Sequence, residues 1–486
     1  MTGGKVRRGC GGIWRGSDWG RAGRVAAICA FLAPGPALAQ AEGEVITKQY
    51  ENGGVYEGTF KDGRQDGTGT YRLPNGYEYS GDWKAGEIVG AGTARYPNGS
   101  VYVGAFVAGK PQGKGKITFG DGGTYDGDWA DGQMTGEGEA HYATGMIYRG
   151  GFLKAAHHGQ GVMEDPGGYR YDGTWVEGRK EGNGTVTYPD GAVYVGALKA
   201  DLRDGAGKLT LASGMIYEGE WTAGKIGGTG KLTHPNGDRY EGDLVDGIKM
   251  GQGRADYANG DRYEGSFAAD QRHGKGSFTG KDGTVYVGDW SRGVIEGAGQ
   301  ITYPNGAVYT GSFRAGLADG TGRIVYKDGN SYEGSWSAGT IEGRGIANYA
   351  NGLVYDGDFV AGKLQGQGSI TYPDGYSYAG DWADGQRQGN GVATYPDGTT
   401  YTGQFAAGKR HGLGTIVMAD GFKYFGQWQA GEMQGKGIAT YTNGDIYEGD
   451  FDKGIRQGTG KLRYATGEQA EGTWDNGELL KAPGTP

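Results

Sequence analysis

A five-residue signature, Tyr-x-Gly-x-Phe/Trp, recurs along this chain every 23 residues with no insertion or deletion between copies. Its first tyrosine stands at Tyr56, Tyr79, Tyr102 and Tyr125 and continues to Tyr447, eighteen times in all. The glycine two places later is present in every copy, from Gly58 to Gly449, and again at Gly472. Two further glycine columns run from Gly67 and Gly69 to Gly458 and Gly460, and another closes each unit from Gly76 to Gly467. A strict period of this length marks stacked modules, none of which can bury a core alone.

The period also settles the domain organisation. Eighteen units fill 56–469. A half-unit over 42–55 matches the back of a copy through Tyr50, Asn52 and Gly53, and 470–486 holds a front half, with Gly472, Trp474 and Gly477, and a short tail. Within a unit, Val55 to Phe60 alternates in side-chain direction, Tyr56, Gly58 and Phe60 on one face and Val55, Glu57 and Thr59 on the other. Lys61 to Asp66 turns the chain, Gly67 to Leu73 returns it, and Pro74-Asn75-Gly76 starts the next hairpin. The expected fold is all-β: an elongated, twisted, single-layer antiparallel meander of hairpins.

The unit resembles the MORN repeat, written here as Tyr56-Glu-Gly58-Thr-Phe60, Gly63, Gly67-Thr-Gly69 and Leu73-Pro74-Asn75-Gly76. The resemblance covers most of the chain. It implies one antiparallel hairpin per repeat and a role in protein or membrane association, with no chemistry of its own. Some relatives join such arrays to lipid-kinase or methyltransferase domains; here fewer than twenty residues follow the last unit, so no enzyme domain is expected.

Residues 1–41 read as a secretory signal peptide. Lys5, Arg7, Arg8, Arg15, Arg21 and Arg24 precede an apolar run from Val25 to Ala33, and small residues offer cleavage after Ala39 or Ala41. The run is well short of the ~20 residues of a membrane span and is broken by Pro34 and Pro36. Export places the mature chain in the periplasm or cell envelope, or outside the cell. Cys10 and Cys29 would leave with the leader, so no disulfide is expected, and the formal charge would move from −9 to about −14. That acidity excludes a nucleic-acid partner.

Glycine inside strands weakens them, so the columns of Gly58, Gly67 and Gly69 read as space over which aromatic rings lie flat. At the fifth position the residues alternate, Trp83, Phe106, Trp129 and onward through Trp336, Trp382 and Trp428, giving a 46-residue super-repeat. Eleven places later the tryptophans meet alanines (Ala94, Ala140, Ala347, Ala393, Ala439) and the phenylalanines meet isoleucines (Ile117, Ile324, Ile370, Ile416). Constant core volume would pair each ring with that partner. Tyr56, Gly58, Trp83, Phe106, Trp129, Trp336, Trp382 and Trp428 are therefore assigned to the core. The alternation loses phase between Trp221 and Trp290; within 148–285 the irregularity reads either as drift after loss of one unit or as a specialised site.

No catalytic constellation interrupts the pattern. His158, His273 and His411 share one column five and six units apart, too far to share a metal, and with His157 they read as surface-loop histidines. Asp82, Asp128, Asp289, Asp358 and Asp381 recur at multiples of 23 and read as a solvated stripe. The Gly-x-Gly pairs lack the Lys-Ser/Thr of a phosphate loop. No enzyme, cofactor or metal is expected. One asymmetry stands out: the hairpin tips are net basic, with Lys110, Arg179, Lys180, Arg203, Lys249, Arg272, Arg387, Lys409 and Arg410 as the candidate interaction edge. The chain is thus read as a scaffold or spacer for a protein partner of unknown identity, with anionic lipid at the basic edge as the alternative and self-association along strand edges as a further mode.

Overall fold

A computed structural model describes residues 43–481. The expected leader and both cysteines lie outside the described residues, which contain strands and turns and no helix. They fall into two units, divided between Ile248 and Lys249, inside the stretch where the sequence alternation loses phase. In the first, strands run from Val45–Gln49 to Arg239–Val245; in the second they end at Glu478–Lys481. Within each unit every strand pairs antiparallel with its neighbours in sequence, so both are simple meanders.

The hairpin of the first complete repeat shows how the sequence produces this. The outgoing strand Val55–Lys61 meets the return strand Arg64–Arg72 through a two-residue turn, with Lys61 opposite Arg64. Asp62 and Gly63 both carry positive φ, 49° and 75°, the geometry whose twist matches a hairpin. The outer loop closes differently: Leu73 N–H donates to Tyr77 O, Gly76 N–H to Leu73 O, and Asn75 Oδ1 accepts from Tyr77 N–H. This is an Asx-type turn, which is why Asn or Asp recurs there.

The hairpins within each unit contain a β-bulge. After Gly58 pairs with Gly69 the register shifts, so Phe60 faces Gln65 and the return strand carries the extra residues. Gly67 sits in that bulge at φ +92°, where an added Cβ would also run into Thr59. The three glycine columns therefore serve different ends. Gly58 and Gly69 leave room for a ring: a Cβ on Gly58 would stand 2.5 Å from the Tyr56 hydroxyl. Gly67, expected to serve the same purpose, serves backbone conformation instead.

The core is one face of each sheet. Tyr56 is fully buried, and Trp83, Phe106, Trp129, Trp336, Trp382 and Trp428 are all buried. In all eighteen repeats the tyrosine hydroxyl crosses its own strand and donates to the backbone carbonyl three residues on, as Tyr56 does to Thr59. Burial pushes the Tyr56 hydroxyl up to about 12. Rings meet edge to face along the array; Trp83 lies 5.1 Å from Tyr56 behind it and 5.5 Å from its own Tyr79.

The expected partnership of tryptophan with the alanine eleven places on is not what forms. Ala94 stands opposite Tyr79, and Trp83 stands opposite Ile88. Likewise Ala347 is opposite Tyr332, and Trp336 is opposite Ile341. Each of these tryptophans leans backward over the preceding return strand. Trp83 Nε1 donates to Gly69 O at 3.2 Å and the ring meets Tyr71 at 6.2 Å; Trp336 donates to Gly322 O at 3.1 Å. The glycine floor of the preceding strand is open, whereas the tryptophan's own return strand places a side chain such as Ile88 beside it. The ring takes the open side.

Candidate interaction surface

The surfaces left for other molecules are the hairpin tips, the outer face and the rim of the aromatic face. At the tips, alternation decides which side chains are free. The first residue of each return strand points outward and the second points onto the aromatic face. Arg179 and Lys409 are exposed, while their neighbours Lys180 and Arg410 turn inward. The nine candidate residues therefore do not form one basic edge.

The inward arginines are built into the array. Arg203, Arg272 and Arg410 lay their guanidinium groups over Trp221, Trp290 and Trp428 at 3.9, 4.1 and 4.3 Å, each ring belonging to the following repeat. Each also donates to the turn carbonyl of that repeat: Arg203 to Gly224, Arg272 to Gly293 and Arg410 to Gly431, at 3.2, 2.9 and 2.9 Å. Arg387 donates to Gly408 O and to the Tyr376 hydroxyl and approaches Phe405. The same turn glycine returns a bond, Gly431 N–H donating to Arg410 O. These side chains clasp adjacent hairpin tips. Arg456, absent from the nine candidates, makes the same clasp with Gly477 and Trp474.

Three of the five remaining candidates, Lys110, Lys180 and Lys249, are also engaged. Lys180 lies half-buried near Tyr169, Tyr171 and Trp175 and 3.8 Å from Asp201. Lys110 pairs with Asp131 at 3.2 Å, and the Lys249 N–H donates to Asp270. The aspartates read as a solvated stripe hold the backbone. Asp82, Asp128, Asp289 and Asp358 each accept an N–H from the bulge opposite, Asp82 from Ala91 at 2.8 Å. Asp381 accepts likewise from Asn390. Hydrogen bonding to Lys114 and Lys275 holds Asp128 and Asp289 below the ordinary carboxylate range.

The histidines divide. His273 and His411 point away from the aromatic face and are exposed, as expected of surface histidines. His157, expected on the surface, is instead packed against Tyr148, Phe152 and Trp175, because it occupies the inward position. Among the described residues no group of three or more His, Cys, Asp or Glu side chains is placed to hold a metal ion.

The outer face carries a feature that the sequence reading missed. Its central column usually bears charged pairs, such as Lys208 with Glu218 and Lys231 with Glu241 in the first unit, or Arg323 with Glu333 and Lys461 with Glu471 in the second. Across six successive strands of the second unit it bears none. Ala379, Val392, Thr402, Thr415, Phe425 and Ile438 stand side by side in register. Val392, Phe425 and Ile438 are 42%, 53% and 39% exposed, and Leu413 beside them is 55% exposed. Reading every 23rd residue on the outward positions would have found it.

Seventeen segments match the family described as the MORN repeat, from 56–76 to 447–469. The one unit between them without a match is 148–170, although it folds as the same hairpin. No curated protein matches the chain. Solved structures similar to it include the SAS-4 (dCPAP) TCP domain of Drosophila melanogaster, in complex with a proline-rich motif of Ana2. That likeness has 16% identity over 41% of this chain and 90% of that one, with a TM-score of 0.18. The TCP10 domain of Danio rerio CPAP with a STIL peptide shows 13% identity, 65% and 95% coverage and a TM-score of 0.11. A streptogramin B lyase shows 12% identity, 61% and 92% coverage and a TM-score of 0.11.

Proposed function

We propose that this chain, which belongs to the MORN-repeat family, is a non-enzymatic scaffold of the cell envelope that docks a protein partner on the outer face of its sheet. The observation that carries the reading is the uncharged patch of Val392, Leu413, Phe425 and Ile438, where one exposed phenylalanine and three aliphatic side chains gather on a face that elsewhere carries ion pairs such as Arg323–Glu333 and Lys461–Glu471. Apolar side chains gathered in water on a solvated sheet face are where a partner gains by desolvation. Chemistry has no comparable support, since polar atoms of the aromatic face such as the Tyr56 hydroxyl, Trp83 Nε1 and the Arg410 guanidinium are bonded within the array. The signal-like N-terminus supports export.

The test is capture from envelope extract by the intact chain, compared with Phe425→Lys and with Arg179→Glu/Lys409→Glu. Loss of a specific partner with Phe425→Lys alone supports docking through the patch. Retained capture by that variant refutes it. The lipid alternative rests on few free cations, because the inward arginines are already paired with rings and carbonyls. Sedimentation with anionic vesicles separates the two: binding that fades with salt and is lost on charge reversal at Arg179 and Lys409 would replace protein docking with membrane docking.

A further inference from the structure

The unmatched repeat, 148–170, differs from its neighbours around one hairpin. Gly151 stands where many repeats place an acceptor for the bulge, and Ala155 holds φ +64° where the tip turn mostly uses glycine. His158 Nδ1 is buried without a hydrogen-bond partner. At the inward position, where other repeats use an apolar residue, Gln65 or a long cation, stands His157.

Its imidazole stacks on Tyr148, with ring centres 3.8 Å apart and planes 28° from parallel. It meets Trp175 edge-on at 4.9 Å and Phe152 at 5.5 Å. Nε2 lies 2.6 Å from the Tyr142 hydroxyl, which belongs to the preceding repeat. The first repeat contains a neutral counterpart of this contact: Gln65 Nε2 donates to the Tyr50 hydroxyl at 2.6 Å.

We propose that the His157–Tyr142 contact is an acid-operated latch that holds the hairpin Ile147–Leu153/Ala156–Glu164 onto the aromatic face when neutral and releases it when protonated. Four aromatic rings surround the imidazole, so an added proton would leave a cation with little water. Charge nearby does not rescue it. Tyr142 and Tyr148 stay neutral, their hydroxyls raised by burial. Lys180, next along the inward column and 5.9 Å from the shared Trp175 ring, adds a like charge, and its partner Asp201 is already paired. Glu137, on the neighbouring return strand, lies near Gly151 rather than at the imidazole. By contrast, His141 meets a carboxylate, Glu139, at 2.6 Å. Burial accordingly lowers His157 from 6.5 to about 4. A histidine lowered in the closed state contributes stability that is complete above 6.5 and lost as pH falls toward 4.

The test is hydrogen exchange on the intact chain, corrected for intrinsic rate. Between pH 7 and pH 5 the segment 142–175 should lose about 20-fold in protection, the ratio that pKa values of 6.5 open and about 4 closed require. Segment 332–371, without histidine, should not. His157→Gln, which copies the Gln65–Tyr50 pair, should abolish the loss. A uniform loss in both segments, or an unchanged loss in His157→Gln, overturns the proposal. Should His157→Gln open at pH 7, NMR titration of His157 in the unaltered chain decides: a midpoint between 4 and 5 supports the latch and one near 6.5 overturns it.

Discussion

Replacing Arg410 with alanine should destabilise the array locally by about 2 kcal/mol, although the residue sits at a hairpin tip where charge is ordinarily dispensable. Two contacts make up the figure. The charged hydrogen bond to Gly431 O at 2.9 Å and the cation–π contact with Trp428 at 4.3 Å are each worth about 1 kcal/mol for a half-buried group. Arg410→Met should recover roughly half, because methionine already occupies this inward column at Met433 and an apolar stem at 410 would keep the Trp428 ring covered. Lys409→Glu, one residue away on the opposite face, should change stability by no more than about 0.5 kcal/mol. Repeat arrays open locally, so the assay is hydrogen exchange of 401–431 rather than a global melt. Equal effects at 409 and 410, or an Arg410→Ala chain as protected as the parent, would refute the clasp.

Gly322→Ala should cost about 3 kcal/mol or more in the same assay, since a Cβ there would enter the Tyr309 ring; wild-type protection of 309–336 would exclude that close approach. Trp336→Ala should cost about 3–5 kcal/mol, and Trp336→Phe with Ala347→Ile should give only the sum of the single effects, because the two side chains oppose different residues; a coupling energy above about 0.5 kcal/mol would restore the shared-volume pairing. Asp450→Ala should cost about 1 kcal/mol by leaving the Thr459 N–H without its acceptor, and Lys436 holds that carboxylate below its ordinary range. Its contribution should persist above the ordinary carboxylate value and fade as pH drops through the lowered one, a profile that exchange at 447–460 will read.

The 23-residue spacing made the hairpins, their order and the aromatic face legible, because period-two alternation around Tyr56, Gly58 and Phe60 needs no long-range information. The bulge was not legible. It shifts the register by a count that glycine at 67 permits but does not announce; the pairing of Trp336 with Ala347 failed separately, because Ala347 lies opposite Tyr332 while Trp336 lies opposite Ile341. The basic edge dissolved for a reason available in the sequence: Lys409 and Arg410 are adjacent, so a strand must send them to opposite faces. Treating the tip as a loop hid this, as it hid the burial of His157. The apolar column at Val392, Phe425 and Ile438 was equally readable but lay on outward positions to which no role had been assigned.

The backward lean of the tryptophans makes these arrays directional. Trp474, in the trailing half-unit, lies 5.3 Å from Tyr447 and donates to Gly460 O, so it roofs the last complete repeat. In sequence it follows that repeat; in packing it finishes it. A boundary drawn where the motif restarts therefore cuts through a packed ring cluster and leaves the tyrosine behind it bare. The natural building block is offset from the written one: it begins at a tyrosine and ends past the aromatic of the following copy. Any shortened version should be cut after that aromatic, which the strand Gln469–Asp475 supplies for the last complete repeat.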